Sequence, residues 1–161
     1  MNIEENIADI DGSCRDINFP DVEKIKIESL LKYLESKFVL ERATNSEGTE
    51  LSIEELHSTL NNSDKQTIIN HWKSDGLIKH FQFMFFWEEN SKVFLELTFF
   101  PDELDGKLYN LYSFLYWLKP ILVTLGIKEY YVRYENASWQ YGDVSDGSGV
   151  IFTNIQHAIN G

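Results

Sequence analysis

Cysteine, positive charge and uninterrupted apolar runs are all scarce in this 161-residue chain, and each scarcity excludes a class of protein. The single cysteine, Cys14, cannot form an internal disulfide framework or a metal site of several cysteines. The 14 Lys and Arg stand against 26 Asp and Glu, and the net charge of −12 disfavours binding to nucleic acid or an anionic membrane. The most apolar stretch, residues 108–127, is interrupted by polar residues, whereas a membrane-spanning helix needs about 18 consecutive apolar ones.

Aromatic residues, in contrast, are abundant, with 11 Phe, 8 Tyr and 4 Trp. An acidic disordered tail contains few aromatics, so the acids belong to the surface of a packed protein. A chain of this length buries roughly 70% of its unfolded surface, and we expect a single domain, residues 1–161. The N-terminal sequence MNIEENIADIDG has acids where a secretory signal peptide has Lys or Arg, so we expect a cytoplasmic location.

The clearest secondary-structure pattern is a β-hairpin over residues 79–100. Apolar side chains alternate along both halves, and residues 88–91 between them are typical of a turn. The hairpin should form the centre of a sheet, with these side chains largely buried: Phe83, Phe85, Leu95 and Leu97.

Apolar spacing of 3.6 residues predicts two long helices, over residues 20–37, with Pro20 at the first helical position, and over residues 107–125. A capping box formed by Ser52 and Glu55 predicts a short helix to about Leu60. Extended segments are predicted at residues 7–10, 17–19, 39–42, 127–135 and 150–153. A tight hairpin forces antiparallel pairing, so we predict an α+β fold: an antiparallel or mixed central sheet with two long helices packed on one face.

The second long helix carries a tryptophan in a polar stripe. Its predicted packing face contains Leu108, Leu111, Tyr112, Leu115, Leu118 and Leu122. Trp117 lies on the opposite side, where another segment covers it or it serves as an exposed anchor for a partner. Tryptophan and tyrosine are frequent hot-spot residues of protein interfaces.

A second candidate surface mixes aromatic and acidic side chains at a strand end and in the Gly- and Asp-rich loop that follows. Its residues are Tyr130, Tyr134, Glu135, Asn136, Trp139, Tyr141, Asp143 and Asp146. Binding residues concentrate in such loops. The alternative for Trp139 is a plug over the edge of the core, because large aromatic side chains are mostly buried.

The region of Asp11, Cys14 and Asp16 offers an enzymatic alternative, since the adjacent Arg15 would favour a thiolate at Cys14. None of the four histidines has a recognisable spacing to Cys14, and free cysteines are usually small core residues. The histidines are scattered and the 143–147 segment lacks the EF-hand pattern. We therefore expect no catalytic residue, metal or cofactor. The alternatives are a small enzyme using this region and an acidic adaptor domain.

Two segments resemble the fixed signatures of a bacterial family, GSCRDI at residues 12–17 and VRYENASW at residues 132–139. In size, acidity and α+β pattern the chain resembles immunity proteins of polymorphic toxins of the contact-dependent growth inhibition type. The resemblance implies a tight complex with a basic toxin domain, for which we expect nuclease activity. A nuclease binds a polyanion with a positive cleft, and an acidic domain competes for that cleft.

Overall fold

One antiparallel sheet of seven strands organises the protein in the computed structural model, which describes residues 2–61, 65–88 and 92–154. The strands are β1 (Arg15–Glu23), β2 (Val39–Thr44), β3 (Gln66–Lys73), β4 (His80–Trp87), β5 (Lys92–Phe99), β6 (Tyr131–Tyr134) and β7 (Val150–Thr153). Their order is β2-β3-β4-β5-β1-β6-β7, and all neighbours pair antiparallel. The helices of the described residues are α1 (Ile3–Ala8), α2 (Lys24–Lys37), α3 (Ile53–Thr59) and α4 (Leu111–Leu125), with a 3-10 turn at Pro101–Glu103. The predicted α+β class is confirmed.

The hairpin of β4 and β5 lies at the centre of the sheet, as predicted, although its turn residues 89–91 lie outside the described residues. Phe83 pairs with Leu97 and Phe85 pairs with Leu95, and all four side chains are fully buried. The alternation of apolar residues that predicted the hairpin also selects its buried face, because successive side chains of a strand point to opposite faces.

Helices cover this apolar face. Helix α2 buries Ile27, Leu30, Leu31 and Leu34, and α4 buries Phe114, Leu118, Ile121 and Leu125. The ring of Phe114 lies 5.8 Å from that of Phe99, which fixes α4 against β5. Ile7 of α1 and Leu56 of α3 belong to the same core. No helix of the described residues is long and apolar enough to cross a membrane.

The opposite side of the sheet carries the alternate, mostly polar side chains and is called the open face below. Its side chains are Asp16 and Asn18 on β1, Thr67, Ile69 and His71 on β3, Gln82, Met84 and Phe86 on β4, Phe94, Glu96 and Thr98 on β5, and Tyr131 and Arg133 on β6. The sheet therefore separates an apolar, helix-covered side from a polar one.

The start of the first long helix is predicted wrongly. Residues 15–23 form β1, and Pro20 lies in this strand instead of at a helix start; α2 begins only at Lys24. The pairing of β1 with β5 shifts between Phe19 and Val22, and Asp21 has a positive φ of 58°. A β-bulge accommodates a proline inside a sheet, because the extra residue leaves the hydrogen-bonding ladder.

Three further local predictions need correction. The segment predicted as extended at residues 7–10 overlaps α1, which a capping box of Asn2 and Glu5 begins. Strand β3 is not predicted, because buried Asn70 interrupts its apolar alternation. Helix α4 begins at Leu111, four residues later than predicted, and Tyr112 of its predicted packing face is 77% exposed. The capping box at Ser52 and the end of α4 at Gly126 are confirmed.

Replacing Leu95 by Ala should lower the free energy of unfolding by about 2–5 kcal/mol, because the substitution leaves a cavity in the central hairpin. Val39→Ala is the matched control, since Val39 is 57% exposed on an edge strand. Its effect should stay within about 0.5 kcal/mol. Urea unfolding of the two variants measures both values, and equal losses would show that Leu95 is not a core residue.

Candidate functional site

Three adjacent strands bring a group of polar side chains together on the open face. In the sheet register Asn18 of β1 lies beside Glu96 of β5, while Asp16 lies between Thr98 of β5 and Arg133 of β6. All five side chains point away from the helices because they alternate with core residues. The group joins residues that are far apart in sequence.

Arg133 is the centre of this group, and its side chain is almost fully buried. Its Nε donates to Oδ1 of Asn18 at 2.7 Å, and its Nη2 donates to Oε2 of Glu96 at 3.0 Å. The same Nη2 lies 3.6 Å from Oδ2 of Asp16. Its Nη1 donates to two backbone carbonyls, those of Tyr134 and Asn136. Five acceptors thus surround the five N–H groups of the guanidinium.

Carboxylates outnumber cations in this group. Burial raises the pKa of Asp16, although Oδ1 of Asp16 accepts a 2.7 Å hydrogen bond from Thr98. Burial and the nearby Asp16 carboxylate also raise the pKa of Glu96. Asp16 and Glu96 share one guanidinium, and the exposed Glu135 follows directly after β6. This part of the open face therefore carries a surplus of negative charge.

Cys14 lies beside this surplus, and its environment favours the neutral thiol. Its Sγ donates to Oε2 of Glu135 at 3.6 Å and to Oδ1 of Asp16 at 3.8 Å. Burial, and then the charges of Asp16 and Glu135, raise the pKa of Cys14 to about 12. A cysteine nucleophile needs a lowered pKa, so the environment opposes the chemistry considered for this residue.

Arg15 and Asp11 of the same segment make other contacts. The guanidinium of Arg15 is fully buried on the helix side, where Nη2 donates to the carbonyl of Asp9 at 2.9 Å. Nη2 also pairs with Asp11 at 3.3 Å. Hydrogen bonds from Ser13 and Arg15 lower the pKa of Asp11 to about 2. Asp11 and Asp16 interact with different partners, so the structure does not assemble them as an acid–base pair.

An aromatic loop packs against the open face. The ring of Trp139 lies 4.7 Å from the guanidinium carbon of Arg133, and Tyr141 stands edge-on to Trp139 at 5.2 Å. Tyr141 also reaches Phe94 on β5 at 6.0 Å. The Nε1 of Trp139 donates to the carbonyl of Asp143, which holds the loop closed. A depression of about 370 Å³ lies among these rings, the Arg133 guanidinium and Glu96.

The structure separates the residues predicted for partner binding into two sides. Trp139 is half-buried, and the exposed side chains of the same region are Glu135, Tyr141, Asp143 and Asp146. Tyr134 is half-buried on the other face of the sheet, with the guanidinium carbon of Arg15 at 4.5 Å from its ring. Trp117 lies in the helical layer, half-buried against Phe38 and Phe81.

Four residues of the open-face group are not among the predicted site residues, namely Asn18, Glu96, Thr98 and Arg133. One signal for Glu96 is present in the sequence, because it is an acid between Leu95 and Leu97 in a mostly apolar strand. The described residues contain no group of three or more His, Cys, Asp or Glu side chains that could hold a metal ion.

The fold is similar to that of one chain in the 1.75 Å crystal structure of the toxic C-terminal tip of CdiA from Pseudomonas aeruginosa in complex with immune protein. The similarity covers 88% of this chain and 94% of that chain, with a TM-score of 0.58 and 21% sequence identity. At this identity the comparison shows a common fold, and the resemblance to toxin–immunity systems is confirmed at that level. No protein-family model matches the chain, and the search of curated proteins finds no match.

Replacing Arg133 by Gln should lower the free energy of unfolding by about 3–5 kcal/mol at neutral pH, because two buried carboxylates lose their cation. The control is Arg42→Gln, which removes an exposed 4.0 Å contact to Glu50 and should cost less than about 1 kcal/mol. Both costs follow from urea unfolding curves.

The cost of Arg133→Gln should also depend on pH. Burial raises the pKa values of Asp16 and Glu96, so the folded protein retains protons that the unfolded chain has released. Stability then falls as pH rises through those pKa values, and removing the guanidinium raises them further. The cost should be larger at about pH 7 than at about pH 4, near the ordinary pKa of a carboxyl group. Equal costs at both pH values would contradict the charge surplus.

Proposed function

We propose that the chain is an immunity protein, which binds and neutralises a basic toxin domain through acidic and aromatic contacts on its open face. The observation that carries the proposal is the fold, which is shared over nearly the whole length of a chain from a toxin–immunity complex. The net charge of −12 supports the inhibitor as the role of this chain within such a pair. Complementary charge between inhibitor and toxin speeds their encounter.

A nuclease is the toxin that this charge fits best. Its active cleft must be positive to hold a polyanion, and a carboxylate-rich surface competes directly for that cleft. The surplus of carboxylates around Arg133 lies on the sheet face that carries no helix within the described residues. The exposed Glu135 beside this group supports contact with a cation of the partner.

The proposed toxin contact consists of exposed acids that steer the partner and aromatic rings that anchor it. Glu135, Asp143 and Asp146 are exposed around the loop and attract a basic partner before contact. Trp139 and Tyr141 supply aromatic area whose geometry is already fixed by Arg133 and Phe94, so little conformational entropy is lost on binding. Trp117 and Tyr134 lie away from this surface and are not part of the proposed contact.

We infer a binding role, and the surroundings of Cys14 oppose the enzymatic alternative at this residue, because burial and the carboxylates of Asp16 and Glu135 raise the pKa of its thiol to about 12. Cys14→Ser should therefore keep toxin binding, with a modest loss of stability. Isothermal titration against the toxic C-terminal domain of any large secreted protein that a neighbouring gene encodes measures the affinity, and thermal unfolding checks the fold. Loss of function in a well-folded Cys14→Ser protein would support the enzymatic alternative instead.

Co-expression tests the immunity role directly. Bacteria that produce the neighbouring toxic domain should stop growing, and production of this chain should restore growth. Growth arrest caused by this chain alone would assign it to the toxin side of the pair. A chain that neither protects cells nor binds the toxic domain would support the acidic adaptor alternative.

Reversing the charge of the steering acids with the triple variant Glu135→Lys, Asp143→Lys and Asp146→Lys should slow association about tenfold at low salt. The difference should shrink as salt rises, because ions screen exposed charges. Stopped-flow fluorescence at several salt concentrations measures the rate. The matched control reverses three exposed acids near strand β2: Glu47, Glu50 and Glu54. Equal slowing by both triple variants would leave net charge as the cause and contradict steering by the loop.

A further inference from the structure

The ring of His57 on helix α3 lies between two carboxylates of helix α2. Its Nδ1 is 2.6 Å from Oε1 of Glu28, and its Nε2 is 2.8 Å from Oε2 of Glu35. Glu28 and Glu35 lie about two helical turns apart on the same side of α2. One imidazole ring therefore spans two turns of a neighbouring helix and fixes the position of α3 along it.

Both contacts require a proton on the ring nitrogen. An ionised carboxylate only accepts hydrogen bonds, and a neutral imidazole carries a single N–H. A neutral His57 can donate to one glutamate only, and the lone pair of its other nitrogen then faces the second carboxylate. The imidazolium donates to both, so the geometry favours the positively charged ring. Burial lowers the pKa of His57, but the hydrogen bonds and charges of Glu35 and Glu28 outweigh burial and raise it.

Other charged groups lie on the elements around His57. They are Lys24 and Lys32 on the same side of α2, Glu54 and Glu55 on α3, and Glu41 and Arg42 on β2. Glu55 belongs to the capping box of Ser52, Glu41 contacts His80, and Arg42 contacts Glu50. The two lysines oppose a positive ring and Glu54 favours it, while Glu28 and Glu35 act at hydrogen-bonding distance. The two hydrogen-bonded carboxylates therefore decide the charge of the ring.

Helix α3 depends on contacts of this kind to stay in place. It has only 7 residues, and a helix this short is not stable on its own. It belongs to the connection between β2 and β3, which pair directly with each other, so it can shift without breaking the sheet. Leu56 and, at its end, Leu60 hold its apolar side in the core. The two hydrogen bonds of His57 hold its polar side.

We propose that His57 is a pH-sensitive latch, which holds α3 against α2 as an imidazolium and loosens that helix when it loses its proton. A group whose pKa is raised by folding stabilises the folded state fully below its ordinary pKa, about 6.5 for histidine. That stabilisation is lost as pH rises through the raised value. Helix α3 should therefore open more often in mildly alkaline than in mildly acidic solution. The latch lies on the helix-covered side and is independent of the proposed toxin contact.

Nitrogen-15 NMR of the full chain tests the charge of the ring. At about pH 7 both ring nitrogens of His57 should show the shifts of protonated nitrogens, and its titration midpoint should lie above about 6.5. His71 is the internal control, because burial and the charge of Arg42 lower its pKa. A His57 that is neutral at this pH, or that titrates at or below the midpoint of His71, would overturn the proposal.

Removing one carboxylate at a time tests the partners of the ring. Glu28→Gln and Glu35→Gln should each lower the midpoint of His57, because the ring loses one of its two anionic acceptors. The matched control is Glu47→Gln, which removes the same charge from an exposed loop and should leave the midpoint unchanged. Equal shifts in all three variants would show that net charge, and not the two contacts, sets the titration.

Amide hydrogen exchange tests the effect on α3. After correction for the intrinsic pH dependence of exchange, the opening of α3 should rise about fivefold from about pH 6 to about pH 8, while α4 keeps its protection. His57→Gln keeps a polar side chain that does not titrate, so its α3 should open equally at both pH values. Constant protection of α3 in the parent, or an unchanged pH dependence in His57→Gln, would overturn the proposal. The chain is measured alone, so failure of the immunity role leaves these results unaffected.

Discussion

The strict alternation of side chains along the central strands is the constraint on which the rest of the structure depends. It sends most of the large aromatic residues of β4 and β5 into one face, where burial under the helices supplies most of the driving force for folding. The same alternation leaves the other face with polar and half-buried side chains. A slip of one residue in a central strand would exchange the two faces, and in β5 or β1 it would bury Glu96 or Asp16 in the apolar core.

The Arg133 group adds specificity to this arrangement at an energetic cost. Removing a guanidinium and two carboxylates from water is unfavourable, and their mutual contacts offset that penalty only with good geometry. Arg133 meets Asn18, Glu96 and Asp16 in one register of β5, β1 and β6, so other registers leave buried charges without partners.

Local patterns explain which features were predictable. The β4–β5 hairpin and the Ser52 capping box are encoded within a few neighbouring residues, and both are found. The sequence pattern predicts Pro20 at a helix start, but Pro20 lies in β1. A bulge that depends on the pairing of β1 with β5 accommodates it there. The open-face group could not be predicted, since its members lie on three strands whose register follows from tertiary packing. The predicted packing face of α4 is partly wrong, because Phe114, rather than Tyr112, faces the core.

The position of β1 in the sequence has a consequence for folding during synthesis on the ribosome. This strand is synthesised before its partners in the sheet, β5 and β6. Arg15 lies opposite Phe99 on one side and opposite Tyr134 on the other. A long stretch of chain separates β1 from each of these partners. Bringing the strands together is therefore entropically expensive, and contacts of this range slow folding. Until residue 133 has been synthesised, Asp16 lacks its guanidinium partner. The sheet can therefore close completely only after β6 has been synthesised, long after β1 has left the ribosome.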